Sequence, residues 1–498
     1  MNRNKKLALN SLTSFLLQIT TIICGFILPR MILHEYGSKV NGLINSITQF
    51  IAIIGFLELG VGAVVQSSLY KPLAEQNNDE ISKIIVSANK FFKKLAGILV
   101  VYLAVLICIY PFIVKEFDRI YVVTLLGAMS ISSFIQYYMG IVDRLLLNAD
   151  QKGYVQYTVQ IIALIANTLI CYFLVRQHVS IQLVKLITSL IFVFQPVAIR
   201  LYINRYYSIN RRIKYDSEPI KQKWNGVAQH IAAVVLDGTD SIVLTLFSTL
   251  ANVSIYGTYH LVTSGVKSLF MSLTTGFQAL LGELWAKQET EQLKTTFYWV
   301  EWAIHTGVTF VFGCTASLIV PFVKVYTLGI YDTNYDVPLF ALLISLANAM
   351  HCLRLPYNIM ILAAGHYKQT QHNYIIAAVI NIVTSILMVK FLGLIGVAIG
   401  TLISMGYQTV WMAWYDSANF IDYKITDFFK HLFADALTFI IAFTCCKWLA
   451  FKNLTFISWV ILALKTAAIW GAAVLIVNMM LYRQFIKKIA ETIKTKFS

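Results

Sequence analysis

Charge is what this chain has least of. Only 13% of its 498 residues are Asp, Glu, Lys or Arg, where soluble domains carry about a quarter. With a mean hydropathy of +0.68, that shortage excludes a soluble globular protein. Acid is scarcer than base, with 24 Asp plus Glu against 40 Lys plus Arg and a formal charge of +16. No polar domain surrounds the basic residues to present a groove, so nucleic acid is excluded as a partner. The seven cysteines all fall in apolar segments without ligand spacing, which leaves neither a disulfide framework nor a metal site. There is no Gly-rich phosphate loop, no paired acidic motif in a loop, and no metal-spaced histidine pair, His351 and His366 being unrelated in setting. The chain therefore reads as a non-enzyme without cofactors.

What the chain does have is apolar runs long enough to cross hydrocarbon as helices, about fourteen of them. They lie near 7–33, 41–69, 85–114, 118–147, 153–175, 181–205, 224–249, 253–282, 293–325, 336–364, 373–392, 394–415, 431–450 and 455–481. The shortest breaks are at Lys115 to Arg119 and at Leu392 to Gly396. The first run is too long for a signal segment, carries Pro29 and Arg30, and reads as a span. With both termini inside, the inner loops collect Lys5, Lys6, Lys90, Lys93, Lys94, Arg211, Arg212 and Lys488, whereas the outer loops hold few, such as Lys39 and Arg176. That asymmetry follows the positive-inside rule, and the same charge meets anionic lipid headgroups.

The apolar pattern also repeats. Ile109-Tyr110-Pro111-Phe112-Ile113-Val114-Lys115 returns as Ile319-Val320-Pro321-Phe322-Val323-Lys324. Tyr36-Gly37 returns as Tyr256-Gly257, and Leu147-Asn148-Ala149 before Lys152 returns as Leu362-Ala363-Ala364 before Lys368. Three landmarks in one order, offset by about 215 residues, point to parallel membrane halves, the architecture of many secondary transporters. The expected organisation is a six-helix bundle over 1–205, a basic cytosolic linker over 206–223, a second six-helix bundle over 224–416, and an additional helix pair with a basic tail over 417–498. The segment Leu69 to Lys94 interleaves charges with Ile81, Ile84, Ile85 and Phe91. It reads either as a helix lying at the membrane surface before the third span or as a charged turn.

Ionisable groups inside spans are costly unless they face water or a partner. They are Arg30, Glu58, Asp237, Asp240, Lys267, Glu301 and Arg354. Arg354 precedes Leu355-Pro356, and a proline there frees a carbonyl and kinks the helix. Its guanidinium suits a phosphate, or pairs with a carboxylate for packing. Arg30 near a span end either faces a cleft or snorkels. Asp237 and Asp240 share a helical face. Either Asp240 pairs structurally with Lys267, or the Asp237/Asp240 face binds a coupling cation or proton while Lys267 faces the substrate. Glu58 relays a proton or neutralises Arg30.

The motifs Leu28-Pro29-Arg30, Tyr36-Gly37, Asn41-Gly42-Leu43, Asn148-Ala149 with Lys152, Asp237 to Ile242 and Tyr256-Gly257 run the length of the chain. Through them it resembles the Wzx-like polysaccharide flippases of the multidrug/oligosaccharidyl-lipid/polysaccharide (MOP) superfamily. The resemblance implies an all-α polytopic protein of the bacterial cytoplasmic membrane, its two six-helix bundles forming a V around a cationic cavity. It further implies export of an undecaprenyl-diphosphate-linked oligosaccharide by alternating access, for O-antigen, capsule or exopolysaccharide synthesis. A polysaccharide polymerase and chain-length machinery are the implied protein partners. Arg30, Lys267 and Arg354 would supply the cationic cavity, and Glu58, Asp237 and Asp240 the coupling to proton or sodium. A drug/cation antiporter of the same superfamily is the alternative, though it calls for an acidic cavity. A membrane polysaccharide polymerase is disfavoured by outer loops of no more than roughly a dozen residues.

Overall fold

The computed structural model describes residues 3–215, 217–220, 238–420, 423–451 and 453–483, with the backbone alone at 3, 4, 7, 54, 56–60, 63 and 275. Among these residues there is no strand. The order is α1 (Arg3–Ala52), a 3₁₀ turn Ile53–Gly55, α2 (Phe56–Ala74), α3 (Asn78–Ile113) and α4 (Arg119–Ile135). A π-helical turn Gln136–Gly140 leads into α5 (Ile141–Ala149), followed by α6 (Gly153–Arg176) and α7 (Ile181–Tyr206). Then come α8 (Gly238–Phe247), α9 (Leu250–Ala286), α10 (Thr290–Tyr326), α11 (Pro338–Leu353), α12 (Leu355–Ala363), α13 (Tyr367–Leu392), α14 (Leu394–Asn419), α15 (Ile425–Cys446) and α16 (Phe456–Leu481). Eleven of the described segments are long and apolar enough to cross a membrane. The protein is a multi-pass, all-helical membrane protein. Of the sequence-expected spans, the second is divided by the 3₁₀ turn and the seventh lies largely outside the described residues.

Contacts divide the chain into two units, Met1–Ser254 and Ile255–Ser498, with the division inside α9. The first unit has one continuous core running through Leu43, Ile47, Val65, Ile85, Leu99, Tyr110, Leu125, Leu146 and Val184. Two of its sequence motifs are backbone devices. Gly37 takes φ 81° and ψ 175° and kinks α1, a conformation that only glycine adopts cheaply. Beside it the Tyr36 hydroxyl donates to the Val179 carbonyl at 2.5 Å. At Gly42 a Cβ would lie 1.9 Å from the Leu250 carbonyl oxygen, so glycine lets the start of α9 pack directly on α1. Asn41 secures the same approach by donating to Ser254 at 2.8 Å.

The charged segment before the third span is not a surface helix. Asn77 caps α3 by accepting the Glu80 N–H at 3.1 Å, and the helix continues unbroken to Ile113. Ile81, Ile84 and Ile85 are buried in the first unit's core, so their apolar face is already covered by protein. The two short breaks do separate helices: Asp118 caps α4, and Gly393, at φ 54°, parts α13 from α14.

In the second unit α13 pairs with α14, α14 with α11, and α15 and α16 pack on α10. Gly313 on α10 is the notch for that last contact, since a Cβ there would lie 2.1 Å from the Trp470 ring. The fully buried indole donates to Ser317 at 3.1 Å.

Candidate functional site

In each unit one of the mid-course helix breaks lies against an arginine. In the first unit Arg200 of α7 donates at 3.0 Å to the carbonyl of Met139, inside the π-helical turn between α4 and α5. Arg200 also bonds Asp143, which is fully buried, and Arg211 stands 3.9 Å from the same carboxylate. A π-helical turn is rare and often marks function. In the second unit the break falls at Arg354, between α11 and α12, with Pro356 in the first turn of α12. Arg354 is 6% exposed. It donates to Gln408, approaches His351 at 3.3 Å and lies 5.8 Å over the Tyr374 ring. No carboxylate pairs with it among the described residues. A guanidinium stays charged when desolvated, so this break carries a buried positive charge balanced only by dipoles.

The other sequence candidates are spread over both units. Arg30 is half-buried on α1 directly after Pro29, and Asp240 is buried on α8 in the first unit. Lys267 is half-buried on α9 in the second unit. Asp237 and the Glu58 side chain lie outside the described residues.

Sequence reading missed a polar cavity of about 520 Å³ inside the first unit. Thr48, Ser132, Ser133, Gln136, Thr188 and Ser189 supply its hydroxyl and amide groups, Tyr137 and Phe192 its aromatic faces, and Lys185 its one charge. Lys185 has no carboxylate partner among the described residues. The available signal was a lysine one turn inside an apolar span, facing the hydroxyls at Thr188 and Ser189.

Sequence reading singled out Glu301 but not its surroundings. Glu301 of α10 is fully buried and accepts hydrogen bonds from Tyr357, at 2.6 Å, and from Tyr423. His431 Nε2 stands 3.6 Å away. One turn along α10, His305 places Nε2 3.2 Å from the Tyr357 hydroxyl and Nδ1 2.6 Å from Asp435, which also accepts from Thr309 at 2.7 Å. With Tyr357 donating to Glu301, Nε2–H must donate to Tyr357. One proton between Nδ1 and Asp435 then distinguishes a charged pair from a neutral one. A void of about 10 Å³ among His305, His431, Asp435 and Asn478 is about the size of one water. Asp416 on α14 is fully buried, with neither carboxylate oxygen hydrogen-bonded. The signal was periodic: Glu301/His305 and His431/Asp435 each sit four residues apart, on one face of a helix. No cluster of metal-binding side chains occurs among the described residues. Next to Asp435, an apolar cavity of about 250 Å³ opens between α10, α11 and α15, lined by Val308, Phe312, Leu346, Leu353 and Phe439.

No family model matches the sequence, and no curated protein matches it. Solved structures do match. One described as the lipid II flippase MurJ in an inward closed conformation superposes with a TM-score of 0.70 at 15% identity, covering 96% of this chain and 100% of that one. An inward-facing multidrug resistance MATE transporter of the MOP superfamily gives 0.59 at 13% identity, over 80% and 95%. A MOP superfamily transporter from Pyrococcus furiosus, described as having a binding pocket of reversed polarity, gives 0.54 at 14% identity, over 81% and 96%. The chain thus has the fold of MOP-superfamily transporters.

Proposed function

We propose that this protein is a flippase that carries a diphosphate-linked lipid oligosaccharide from the inner to the outer leaflet of the bacterial cytoplasmic membrane, its termini on the cytoplasmic side. The observation that carries the reading is the first unit's cavity: sugar hydroxyls need hydroxyl and amide partners, a phosphate needs a cation, and Lys185 is the one charge there. In the second unit Arg354 is a further cation, with no carboxylate partner among the described residues, and Arg30 of the first unit and Lys267 of the second are proposed as additional phosphate-binding cations. The apolar cavity beside α15 suits part of a prenyl tail, which then stays out of polar surroundings. The likeness to a lipid II flippase supports a lipid-linked cargo. Export of O-antigen, capsule or exopolysaccharide units, with a polymerase and chain-length machinery downstream, is the finer form of this proposal.

Driving ions are assigned to buried acids. Asp240 holds that place in the first unit, together with Asp237, three residues before it, and Glu58. The Glu301–Tyr357–His305–Asp435 chain is the proton path assigned to the second. A drug/cation antiporter is the rival reading, and the buried Glu301 and Asp416 are what favour it.

The deciding experiment uses proteoliposomes with a fluorescent polyprenyl-diphosphate oligosaccharide in one leaflet. Wild type should move the lipid under an imposed proton or sodium gradient, while Lys185→Ala and Arg354→Ala should fall to the protein-free rate. If wild type leaves the lipid in place but exchanges a lipophilic cation for protons, the antiporter reading replaces this one.

A further inference from the structure

A second polar cavity, of about 620 Å³, lies wholly within the first unit and is lined by Lys90, Lys93, Lys94, Arg200 and Arg211 together with Tyr138. We propose that it is a binding site for the phosphate-bearing headgroup of a membrane lipid. It is separate from the transport cavity, and the proposal does not rest on the flippase reading.

Topology alone would explain basic residues in an inner loop, but not their convergence. These five come from α3, α7 and the segment after α7, and they meet over a built floor. Arg200 is fixed from below by the buried Asp143 and by the carbonyl of Met139 in the π-helical turn. Arg211 is drawn over the same carboxylate at 3.9 Å. Burial and the neighbouring Arg200 lower the Arg211 pKa, as expected for cations held together without enough negative charge. No acid is among the described residues that line the cavity, and the carboxylate beneath Arg200 and Arg211, Asp143, is fully buried, so the mouth keeps a positive surplus. Lys90, Lys93 and Lys94 are exposed and make no ion pair among the described residues. Lys93 reaches over the Tyr138 ring at 5.1 Å, which leaves Tyr138 at the rim.

The surroundings say that the anion belongs to a lipid. Lys90 and Lys94 sit on one face of α3, and that face continues into Ile98, Val101 and Val105, all exposed. On α7, Arg200 is followed toward the helix start by exposed Val197, Phe194 and Leu190. Two rows of exposed apolar side chains inside spans, each ending at the cationic pocket, match acyl chains below a headgroup at the interface. Basic pockets between helices are a recurrent way to hold such headgroups.

The test uses full-length protein in phosphatidylcholine nanodiscs, with bound lipid counted by native mass spectrometry and affinity read by titration. The probes are diphosphatidylglycerol, undecaprenyl diphosphate and inorganic pyrophosphate. Lys90→Gln/Lys93→Gln/Lys94→Gln changes only exposed side chains, and Lys368→Gln/Lys424→Gln/Lys430→Gln removes the same charge from the second unit. A lysine near an anionic interface is worth about fivefold in affinity, so the first triple should weaken lipid binding by about a hundredfold at low salt, and the second by less than about twofold. Diphosphatidylglycerol binding that depends on the pocket triple identifies a bilayer phospholipid as the source. Dependence seen only with undecaprenyl diphosphate identifies the polyprenyl lipid. Equal weakening by both triples, weakening by neither, or pyrophosphate binding as tightly as either lipid overturns the proposal. Wild type that binds lipid in this pocket but does not flip the polyprenyl-diphosphate oligosaccharide would count against the proposed function alone.

Discussion

The two broken helices occupy the same place in the repeat, yet their arginines are treated in opposite ways. Counted back from the helix ends at Ala149 and Ala363, Gly140 and Arg354 stand at equivalent positions. The first unit brings its guanidinium from a neighbouring helix and answers it with a buried carboxylate, Asp143. The second sets the guanidinium at the break itself and answers it with an amide, Gln408. A buried charge whose partner is removed costs about 3–5 kcal/mol, whereas an ion pair replaced as a whole is often neutral. Arg200 with Asp143 is therefore a structural element. Arg354 is a charge that the fold tolerates without neutralising, which is what an anion site requires.

The largest expected effect tests the paired side. Asp143→Ala leaves the half-buried Arg200 without its carboxylate and should lower the unfolding free energy by about 3 kcal/mol, the low end for a broken buried pair, read by thermal unfolding of detergent-solubilised protein. Unchanged stability would remove the structural role. The converse is Gln408→Glu, which gives Arg354 the carboxylate its counterpart has. It should hold or raise the melting temperature while bringing lipid flipping to background. Normal flipping would show that the unneutralised charge is not used.

Next comes the coupling chain. Glu301→Gln keeps an acceptor for Tyr357 and Tyr423 but cannot exchange a proton at this position. Initial transport rates should lose their response to an imposed pH difference and keep a basal value. A retained response would move coupling to Asp240 or Asp416.

Smaller effects come from two glycines in contrasting settings. Gly37→Ala forces a side chain into φ 81° and should cost about 1–3 kcal/mol. Gly265→Ala, inside α9 with open space around it, should gain up to about 1 kcal/mol. Equal melting temperatures for the two variants would contradict the kink. The smallest effect is at Asp150, between α5 and α6. Burial opposes its charge, but hydrogen bonds from Lys152, Tyr207 and Lys6 outweigh that and hold its pKa below the usual carboxylate range. A lowered folded pKa contributes stability above the unfolded value, and that contribution fades as pH falls through the folded one. Asp150→Asn should cost about 1 kcal/mol at neutral pH and nothing in strong acid.

The helical class and most span limits were legible because membrane burial acts on every residue of a span, so composition alone records it. The Tyr36-Gly37 and Asn41-Gly42 motifs were legible as landmarks but not as devices. Only coordinates show that one bends α1 and the other admits the Leu250 carbonyl. The Leu69 to Lys94 segment stayed open between a surface helix and a charged turn because its apolar face could equally meet lipid or protein, and periodicity does not distinguish them. The same limit hid the Lys185 cavity and the partners of Glu301. In an all-apolar span the polar residues are visible, but which way each one faces is set by neighbours far away in sequence.

The indole of Trp470 in the notch at Gly313, together with Asp435 reaching His305 and Thr309, has a consequence for biogenesis. Helix α10 leaves the ribosome well before α15 and α16 exist, and at ordinary rates the delay is roughly ten to thirty seconds. Through that interval a glycine groove and a histidine lack the partners that α15 and α16 bring. A chain interrupted before α15 therefore leaves the Gly313 notch without Trp470 and His305 and Thr309 without Asp435.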